Sequence, residues 1–242
     1  MTQQIQEFKH NGWCPICEKE ATFVAKHKWF RDHLLCSGCG SIPRERALFK
    51  VIKDYYPNYR DLVIHETSPG ERGASIKLGK ECVHYTASQY FPNIKPGSIH
   101  PSGYRCENLE CLTFPDNFFD VFVSQDVMEH IFDPEKAFKE IARVLKPGGA
   151  HIFTVPIINK ARKSERWASM GMNGEITYHH EAEYHGNPVD AKGALVTMHW
   201  GYDIASFIQE VAKTPTVIIQ IDDIDKGIRA EYIDVLVSIK QQ

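Results

Sequence analysis

The sequence predicts an α/β protein in which a mostly parallel sheet is covered on both faces by helices and is preceded by a small cysteine-rich module. Two observations carry this prediction. From residue 61 onward, strand-like and helix-like segments alternate, which is typical of parallel sheets. Before them, two C-x-x-C pairs flank a short strand-like segment. A chain of 242 residues is long enough for one large α/β domain with such an appendage.

The cysteine pairs are Cys14/Cys17 and Cys36/Cys39, separated by eighteen residues. This spacing falls within the range of four-cysteine zinc sites, in which thiolates surround Zn²⁺ tetrahedrally. The sequence therefore predicts a zinc ribbon over residues 1–43. Four thiolates fill the coordination shell, so we expect the zinc to be structural, or to serve a partner, rather than to be catalytic.

A connecting helix is predicted over residues 44–60, because apolar residues recur at helical spacing from Leu48 to Tyr55. The remaining residues, 61–242, form the predicted α/β domain. The run Lys146-Pro-Gly-Gly149 is predicted to end a helix. Helices of this domain are expected after a turn at 67–70, over 134–145 and over 202–212. Its strands are expected at 62–66, 82–87, 104–108, 119–124, 150–155, 216–221 and 232–239.

Residues 157–198 interrupt this alternation, being polar and rich in His, Gly and Met. A stretch of this length is predicted to be an active-site lid or a substrate-binding insertion. It contains His179, His180 and His185 among tyrosines and glutamates. Such a cluster can supply a general base or a divalent-metal site, or it can be a solvated lid whose histidines bond to the backbone. If one residue is the catalytic base, we predict His180 or His185.

Composition narrows the classes of protein to consider. No apolar run approaches the length of a membrane span, and the first residues lack the apolar core of a signal peptide, so a cytoplasmic location without membrane contact is expected. Seven cysteines suit a reducing compartment. The net charge is −3, although residues 1–60 carry an excess of four positive charges. This balance argues against a nucleic-acid partner, and nothing indicates an oligomeric state.

The run from Glu107 to His130, followed by Ala142-Arg-Val-Leu-Lys-Pro-Gly-Gly149, resembles the class I S-adenosylmethionine-dependent methyltransferases, of the methyltransferase type 11-like kind. A phrase such as LPFPDNSFDLV…LEHI…LKPGG is a fingerprint of that family. The resemblance covers residues 60–156, and the last forty residues more loosely. The four-cysteine module, ending C-G-S-x-x-R-x-R, resembles a module on some bacterial members. The resemblance implies a Rossmann-like fold with a seven-stranded, mostly parallel sheet, and S-adenosylmethionine as cofactor.

The resemblance also implies cofactor contacts at four strand ends: Glu66, Thr67, Ser68, Pro69 and Gly70; Ser88 and Gln89; Asn108 and Leu109; Ser124, Gln125 and Asp126. The first group would lie against the methionine and sugar, and the second against the ribose hydroxyls, where the family has an acid. The third would contact adenine, and the fourth would line the methyl-transfer point. Gln89 can hydrogen-bond the ribose but brings no charge. Alternatively, Asn108 caps a turn and Asp126 caps the helix that carries Met128 and His130.

The leading interpretation is a methyltransferase that acts on a small molecule or glycan, with O-methylation favoured and the zinc ribbon structural. The adjacent Glu129 and His130 are interpreted as packing residues. One alternative is an RNA methyltransferase whose ribbon grips RNA through basic and aromatic side chains. These side chains are Lys26, Lys28, Trp29, Phe30 and Arg31. The other is a non-catalytic scaffold with a degenerate methyltransferase fold, suggested by the glycine-poor turn and the missing ribose acid.

Overall fold

The computed structural model describes residues 7–187 and 189–242. Its N-terminal module is a three-stranded antiparallel sheet that leads into a long helix. That helix begins where Pro43 fixes the first turn and the Glu45 carboxylate accepts a hydrogen bond from the Ile42 N–H. The module comprises β1 (Phe8–Cys14), β2 (Lys19–Ala25), α1 (Phe30–His33), β3 (Leu35–Cys36) and α2 (Pro43–Tyr55).

The rest of the chain forms the predicted α/β domain. Short 3-10 turns lie at Tyr59–Asp61, Met128–His130 and Ile224–Lys226. The helices and strands, in chain order, are β4 (Val63–Thr67), α3 (Gly73–Glu81), β5 (His84–Gln89), β6 (Arg105–Cys106), β7 (Phe119–Gln125), α4 (Pro134–Val144), β8 (Leu145–Thr154), β9 (Glu165–Arg166), β10 (Ala168–Met170), β11 (Ile176–Tyr178), β12 (Tyr184–His185), β13 (Ala194–Leu195), β14 (Met198–His199), α5 (Ile204–Ala212), β15 (Thr216–Ile219) and β16 (Val235–Ile239).

Seven of these strands form one sheet in the order β15-β16-β8-β7-β4-β5-β6. The pairs from β8 to β6 are parallel, and β16 runs antiparallel to both of its neighbours. Side chains alternate between the two faces of β7, so Val121 and Val123 point into one core and Phe122 into the other. The predicted mostly parallel, seven-stranded α/β fold is confirmed.

Each face of the sheet packs against its own pair of helices. On one face, Leu48 of α2 and Leu78 of α3 lie in a core with Val121. On the other face, Ile141 of α4 and Ile208 of α5 lie in a core with aromatic side chains of the sheet. The first of these cores also contains buried residues of the N-terminal module, so the module and the domain share apolar packing.

The run Lys146-Pro-Gly-Gly149 differs from its prediction as a helix stop that precedes a strand. Helix α4 ends at Val144 and strand β8 already begins at Leu145, so this run lies inside the strand. Leu145 pairs with Phe119, and after a register shift Ala150 pairs with Val121. The pairing partner, twenty-six or more residues away, decides the strand's start, which the local turn signal cannot reveal.

The predicted lid, residues 157–198, consists of short antiparallel pairs: β9 with β14, β10 with β11, and β12 with β13. Its far end is tied to the segment that follows β7. The backbone N–H and the hydroxyl of Thr197 both donate to the Glu129 carbonyl, and the Arg166 guanidinium donates to the Phe132 carbonyl at 2.6 Å. The lid is therefore fixed beside the carboxyl end of β7. Across the described ranges, no helix is both long and apolar enough to span a bilayer.

Candidate active site

The parallel strands bring the predicted cofactor residues to one edge of the sheet. Thr67 pairs with Ser88 on one side and with Ser124 on the other, and Gln89 pairs with Cys106. All four predicted segments therefore leave the sheet at the carboxyl ends of neighbouring strands. In open α/β sheets, ligands bind in the crevice outside these ends.

Glu66, at the end of β4, is fully buried and holds this edge together. One carboxylate oxygen accepts hydrogen bonds from the Ser75 hydroxyl at 2.7 Å and the Gln125 amide at 2.9 Å, and the other accepts one from the Tyr85 hydroxyl at 2.8 Å. Burial raises the pKa of Glu66, against the opposing effect of these three bonds. Its carboxylate thus fixes the turn after β4, helix α3 and the end of β7 relative to one another.

The turn after Glu66 is only partly closed. Thr67 is buried, Ser68 adopts a left-handed backbone conformation with φ of 50°, and Pro69 and Gly70 lie at the surface or near it. The Gly70 N–H donates to the Ser75 hydroxyl at 2.9 Å. A side-chain carbon at Gly70 would meet its nearest neighbour, the Ser75 hydroxyl, at 3.6 Å, which is ordinary van der Waals contact.

Ser88 and Ser124 are both buried, and each bonds inward to a histidine. The Ser88 hydroxyl lies 2.9 Å from His65 Nε2, and the Ser124 hydroxyl lies 2.9 Å from His151 Nε2. Burial lowers the pKa of His65 to about 3, with a smaller effect from Arg105, and lowers the pKa of His151 to about 3. The hydroxyls of these two serines are therefore used in hydrogen bonds to buried histidines of the sheet.

Three of the predicted residues lie at or just after the ends of β5 and β6. Gln89 is partly exposed at the end of β5. The Asn108 side-chain oxygen accepts a hydrogen bond from the Glu110 N–H at 2.9 Å, so Asn108 does cap a turn, while its second lone pair and its NH₂ group keep bonding capacity. Leu109 is buried beside it and can offer an apolar wall. Carboxamides at these places suit ribose hydroxyls and an adenine edge, so these residues fit an adenosine-containing cofactor.

Asp126 connects the edge to the N-terminal module. Its carboxylate accepts from Arg31 at 2.5 Å and lies 2.8 Å from Arg44, and it also accepts from the Thr154 hydroxyl at 3.0 Å. Burial alone would raise the pKa of Asp126, but the two guanidinium groups outweigh it and lower the pKa. The side chain does not cap the following turn, for which Val127 is the N-cap. The sequence did not reveal that Arg31 and Arg44 pair with Asp126. The excess of positive charge in residues 1–60 was the only indication that an acidic partner exists elsewhere in the chain.

The two histidines predicted as catalytic base lie in different surroundings. His180 is exposed, stacks on Trp167 at 4.0 Å between ring centroids, and lies 3.0 Å from a Glu165 oxygen. His185 instead faces the segment after β7. His179 bonds to the Ser169 hydroxyl at 3.0 Å, within the hairpin.

His185 belongs to a cluster with Glu129 and His130. One ligand atom from each of the three lies within 4.8 Å of the others. Glu129 is 2% exposed, and neither of its carboxylate oxygens has a hydrogen-bond partner within the described ranges. Burial, followed by the charge of Asp126, raises the pKa of Glu129, and burial lowers the pKa of His130 to about 4. The sequence alone marked Glu129 and His130 as packing residues, because His185 reaches them only through the lid.

The four cysteines of the N-terminal module also converge. The Sγ atoms of Cys14 and Cys39 lie 3.9 Å apart, and those of Cys17 and Cys36 lie 3.6 Å apart. Zinc–sulfur bonds of about 2.3 Å place the sulfurs of a tetrahedron roughly 3.8 Å apart. The donor set and its spacing therefore fit a zinc ion held by four thiolates.

Comparison with known proteins agrees with this geometry. Residues 74–153 match a family model described as a methyltransferase domain. A ubiquinone biosynthesis O-methyltransferase of Parvibaculum lavamentivorans is 33% identical over 101 residues, and a ubiquinone/menaquinone biosynthesis C-methyltransferase of Francisella tularensis subsp. novicida is 46% identical over 65 residues. These matches span 39% and 26% of this chain, and 38% and 26% of the relatives.

Two solved structures share the fold at low sequence identity. An S-adenosylmethionine-dependent methyltransferase from Mesorhizobium loti matches with a TM-score of 0.51 and 16% identity, over 81% of this chain and 98% of its own. A 1,6-didemethyltoxoflavin-N1-methyltransferase from Burkholderia thailandensis, solved with 1,6-didemethyltoxoflavin and S-adenosylhomocysteine, matches with a TM-score of 0.52 and 12% identity, over 82% and 79%. The sheet order and these matches show that the chain has the fold of the class I S-adenosylmethionine-dependent methyltransferases, with a methyltransferase-domain match over residues 74–153 and an N-terminal cysteine cluster compatible with a zinc ribbon.

Proposed function

We propose that this protein transfers a methyl group from S-adenosylmethionine to an oxygen atom of a small molecule or glycan. The observation that carries the proposal is the meeting of four strand ends at one edge, where Gln89 ends β5, Asn108 follows β6 and the Glu129–His130–His185 cluster follows β7. The names of the curated relatives, which describe quinone methylation, support a small-molecule acceptor.

The cluster supports oxygen as the acceptor atom. A hydroxyl acceptor must lose its proton as the new bond forms, so nearby groups that bind or displace that proton speed the transfer. Glu129, His130 and His185 are such groups, and the lid fixes them next to Asp126 at the end of β7. Of the predicted pair of bases, we retain His185, because His180 makes its contacts with Glu165 and Trp167.

When bound, S-adenosylmethionine supplies a methyl group that the acceptor oxygen takes by in-line displacement, the carbon–sulfur bond breaking with its electron pair left on sulfur. The chain's own contribution is to position the reactants. Gln89 is proposed to hold the ribose and Asn108 the adenine, with Leu109 covering the ring. Glu66 keeps the turn at 67–70 and the end of β7 at a fixed separation through its bonds to Ser75 and Gln125.

The ribbon is proposed to be structural, with Zn²⁺ held by Cys14, Cys17, Cys36 and Cys39. The RNA-binding alternative has less support, because Arg31 is buried against Asp126 and Phe30 packs against Phe8, at 4.8 Å between ring centroids. The predicted cytoplasmic location, where thiols stay reduced, is retained as part of the proposal, because zinc binding requires the four cysteines as thiolates.

Isothermal titration calorimetry tests the cofactor assignment. We expect the protein to bind S-adenosylmethionine and S-adenosylhomocysteine, and Gln89→Ala to weaken both by about threefold to tenfold, since one or two neutral hydrogen bonds are lost. Gln209→Ala removes the same side chain from an exposed position on α5 and should leave the affinity unchanged. Absence of binding at millimolar cofactor would refute the proposal.

The acceptor atom is tested by its product. The protein is incubated with cofactor labelled with ¹³C in its methyl group and with a metabolite extract, and the labelled methyl is observed by NMR. A methyl carbon attached to oxygen has a chemical shift distinct from one attached to carbon or nitrogen. Transfer to carbon or nitrogen alone would overturn the oxygen assignment while leaving the methyltransferase assignment standing.

A further inference from the structure

We propose that Glu129, His130 and His185 bind a divalent transition-metal ion beside the methyl-transfer end of the crevice. The three side chains offer one carboxylate oxygen and two imidazole nitrogens within 4.8 Å of one another. Two histidines and one carboxylate on one side of an ion form a recurrent protein site that leaves other coordination positions open. This site is separate from the four cysteines, which belong to the N-terminal module.

The buried carboxylate of Glu129 is the observation that calls for a ligand. The side chain is 2% exposed, and neither oxygen has a hydrogen-bond partner among the described residues. The neighbouring cations, Arg31 and Arg44, direct their closest contacts to Asp126 instead, at 2.5 and 2.8 Å. An unpaired buried carboxylate is costly, so a charge of opposite sign is expected to fill the space that it faces.

The hydrogen bonds of the two histidines leave one lone pair on each pointing toward Glu129. His130 Nδ1 lies 2.9 Å from the Leu195 carbonyl, which can only accept, so Nδ1 carries the hydrogen and Nε2 is free. His185 Nε2 bonds to Glu183 at 3.1 Å, so that nitrogen carries the hydrogen and Nδ1 is free. Outer bonds of this kind orient the histidine ligands of metal sites.

The two free nitrogens lie close to the same Glu129 oxygen and within 4.8 Å of each other. His130 Nε2 and His185 Nδ1 each lie 3.8 Å from the same oxygen of Glu129. Metal–ligand bonds of about 2.1 Å place adjacent ligand atoms roughly 3.0–3.4 Å apart. His185 lies on the two-residue strand β12 of the lid and its side chain is 36% exposed, so it has room to move inward to that spacing.

The methyl acceptor would bind at the coordination positions of the ion that the protein leaves open. An acceptor that carries a hydroxyl, and better two adjacent oxygen atoms, can coordinate the ion, which lowers the pKa of that hydroxyl and fixes its lone pair. With the ion bound, His185 would hold the ion and the acidified hydroxyl proton would leave to solvent, whereas without the ion His185 itself takes that proton as the proposed base. This role rests on the proposed function, whereas metal binding does not.

Titration of the metal-free, full-length protein with Co²⁺ tests the site. Cobalt bound by four thiolates gives an intense charge-transfer absorption, and cobalt bound by imidazole and carboxylate does not. We expect two Co²⁺ ions per chain, only one of them with that absorption. Glu129→Gln and His185→Ala should weaken binding of the second ion at least tenfold while the charge-transfer band persists, which shows that the ribbon remains folded. His179→Ala, a histidine of the same lid outside the cluster, should still bind two.

One Co²⁺ per chain in the unaltered protein would overturn the proposal and would indicate that a proton on Glu129 or a cationic organic group occupies the site. Retention of the second ion in both variants would overturn it too. Cofactor calorimetry on the same samples keeps the two proposals apart. Cobalt binding without cofactor binding would refute the proposed function alone, and the reverse result would refute the metal site alone.

Discussion

Two histidines, His65 and His151, lie inside the central sheet and set the positions of the serines at its edge. Both are almost fully buried; His65 contacts the hydroxyls of Ser88 and Thr86, and His151 contacts that of Ser124. Their pKa values of about 3 mean that both stay neutral in the folded protein well below the pH at which an unfolded histidine, with a pKa near 6.5, takes up a proton. The folded edge therefore depends on two uncharged imidazoles.

The low pKa of these buried histidines should make the free energy of unfolding depend on pH. Between about pH 6.5 and 3 the unfolded state binds more protons at His151 than the folded state, so the free energy of unfolding falls as the pH falls through this window. His151→Phe, which keeps a flat ring against Phe153, should reduce the loss between pH 6.5 and 4.5 by about 2 kcal/mol. Urea unfolding at the two pH values measures it.

His84→Phe provides the matched control, because His84 is exposed and solvent surrounds it in both states. It should leave the pH dependence unchanged. If the two variants had the same pH dependence as the unaltered protein, His151 would not be the buried neutral residue described above.

Sequence reasoning placed the strand-end residues together at one edge of the sheet but did not identify their hydrogen-bond partners. Ser88, Ser124 and Asp126 were expected to face a ligand, and each bonds instead to a side chain from another strand or from the N-terminal module. Position along a strand follows from the alternation of apolar residues, which is local. The partner depends on register between strands and on which helix docks where, and neither is encoded within the segment.

At the scale of elements, helix α2 joins the N-terminal module to the domain through Arg46. This fully buried guanidinium donates to the carbonyls of Ser41, Leu34 and Gly227, and it lies 4.8 Å from the centre of the Phe23 ring. Burial lowers the pKa of Arg46 to about 10, yet the side chain stays charged near neutral pH. One residue thus links the ribbon, the helix and the loop before β16.

Arg46→Lys should therefore be strongly destabilising. A lysine carries the same charge but cannot reach three carbonyls in different directions with a planar fork, so at least one buried carbonyl loses its donor. We expect a loss of about 2–4 kcal/mol in the free energy of unfolding, measured by chemical denaturation. Arg60→Lys makes the same exchange at a side chain that is 45% exposed and should change stability by under about 1 kcal/mol. Equal effects of the two exchanges would contradict this role of Arg46.

Helices and strands in which apolar residues repeat regularly were predictable from the sequence, whereas the short strands of the lid were not. Helix α2 covers Pro43–Tyr55, so it ends five residues before the predicted range 44–60, but its 13 residues, about three and a half turns, let the apolar spacing repeat. Each lid strand has two or three residues, too few for a period of two to stand out. The lid strands arise from antiparallel pairing and from bonds to the segment after β7, so the cluster around Glu129 became visible only in three dimensions.

At the scale of the whole molecule, the ribbon and the domain form one packed unit. Cys14 and Phe23 of the ribbon lie in the same core as Ile64, Val121 and Val235 of the central sheet. The ribbon also supplies Arg31, whose bond to Asp126 reaches the end of β7, where the proposed active site lies. Loss of the proposed zinc ion should therefore affect both the core and that site.

Cys17→Ser tests this coupling without a chelator, which would also remove an ion from the proposed histidine site. We expect one cooperative unfolding transition whose midpoint falls by several degrees, because a thiolate ligand of a folding-coupled metal is lost and the shared core loosens with it. The affinity for S-adenosylmethionine should fall as well, since Asp126 loses the partner that holds it. Cys111→Ser, at an exposed cysteine outside the cluster, should change neither quantity. A separate early transition of the ribbon, with cofactor affinity intact, would show instead that the ribbon folds as an independent appendage.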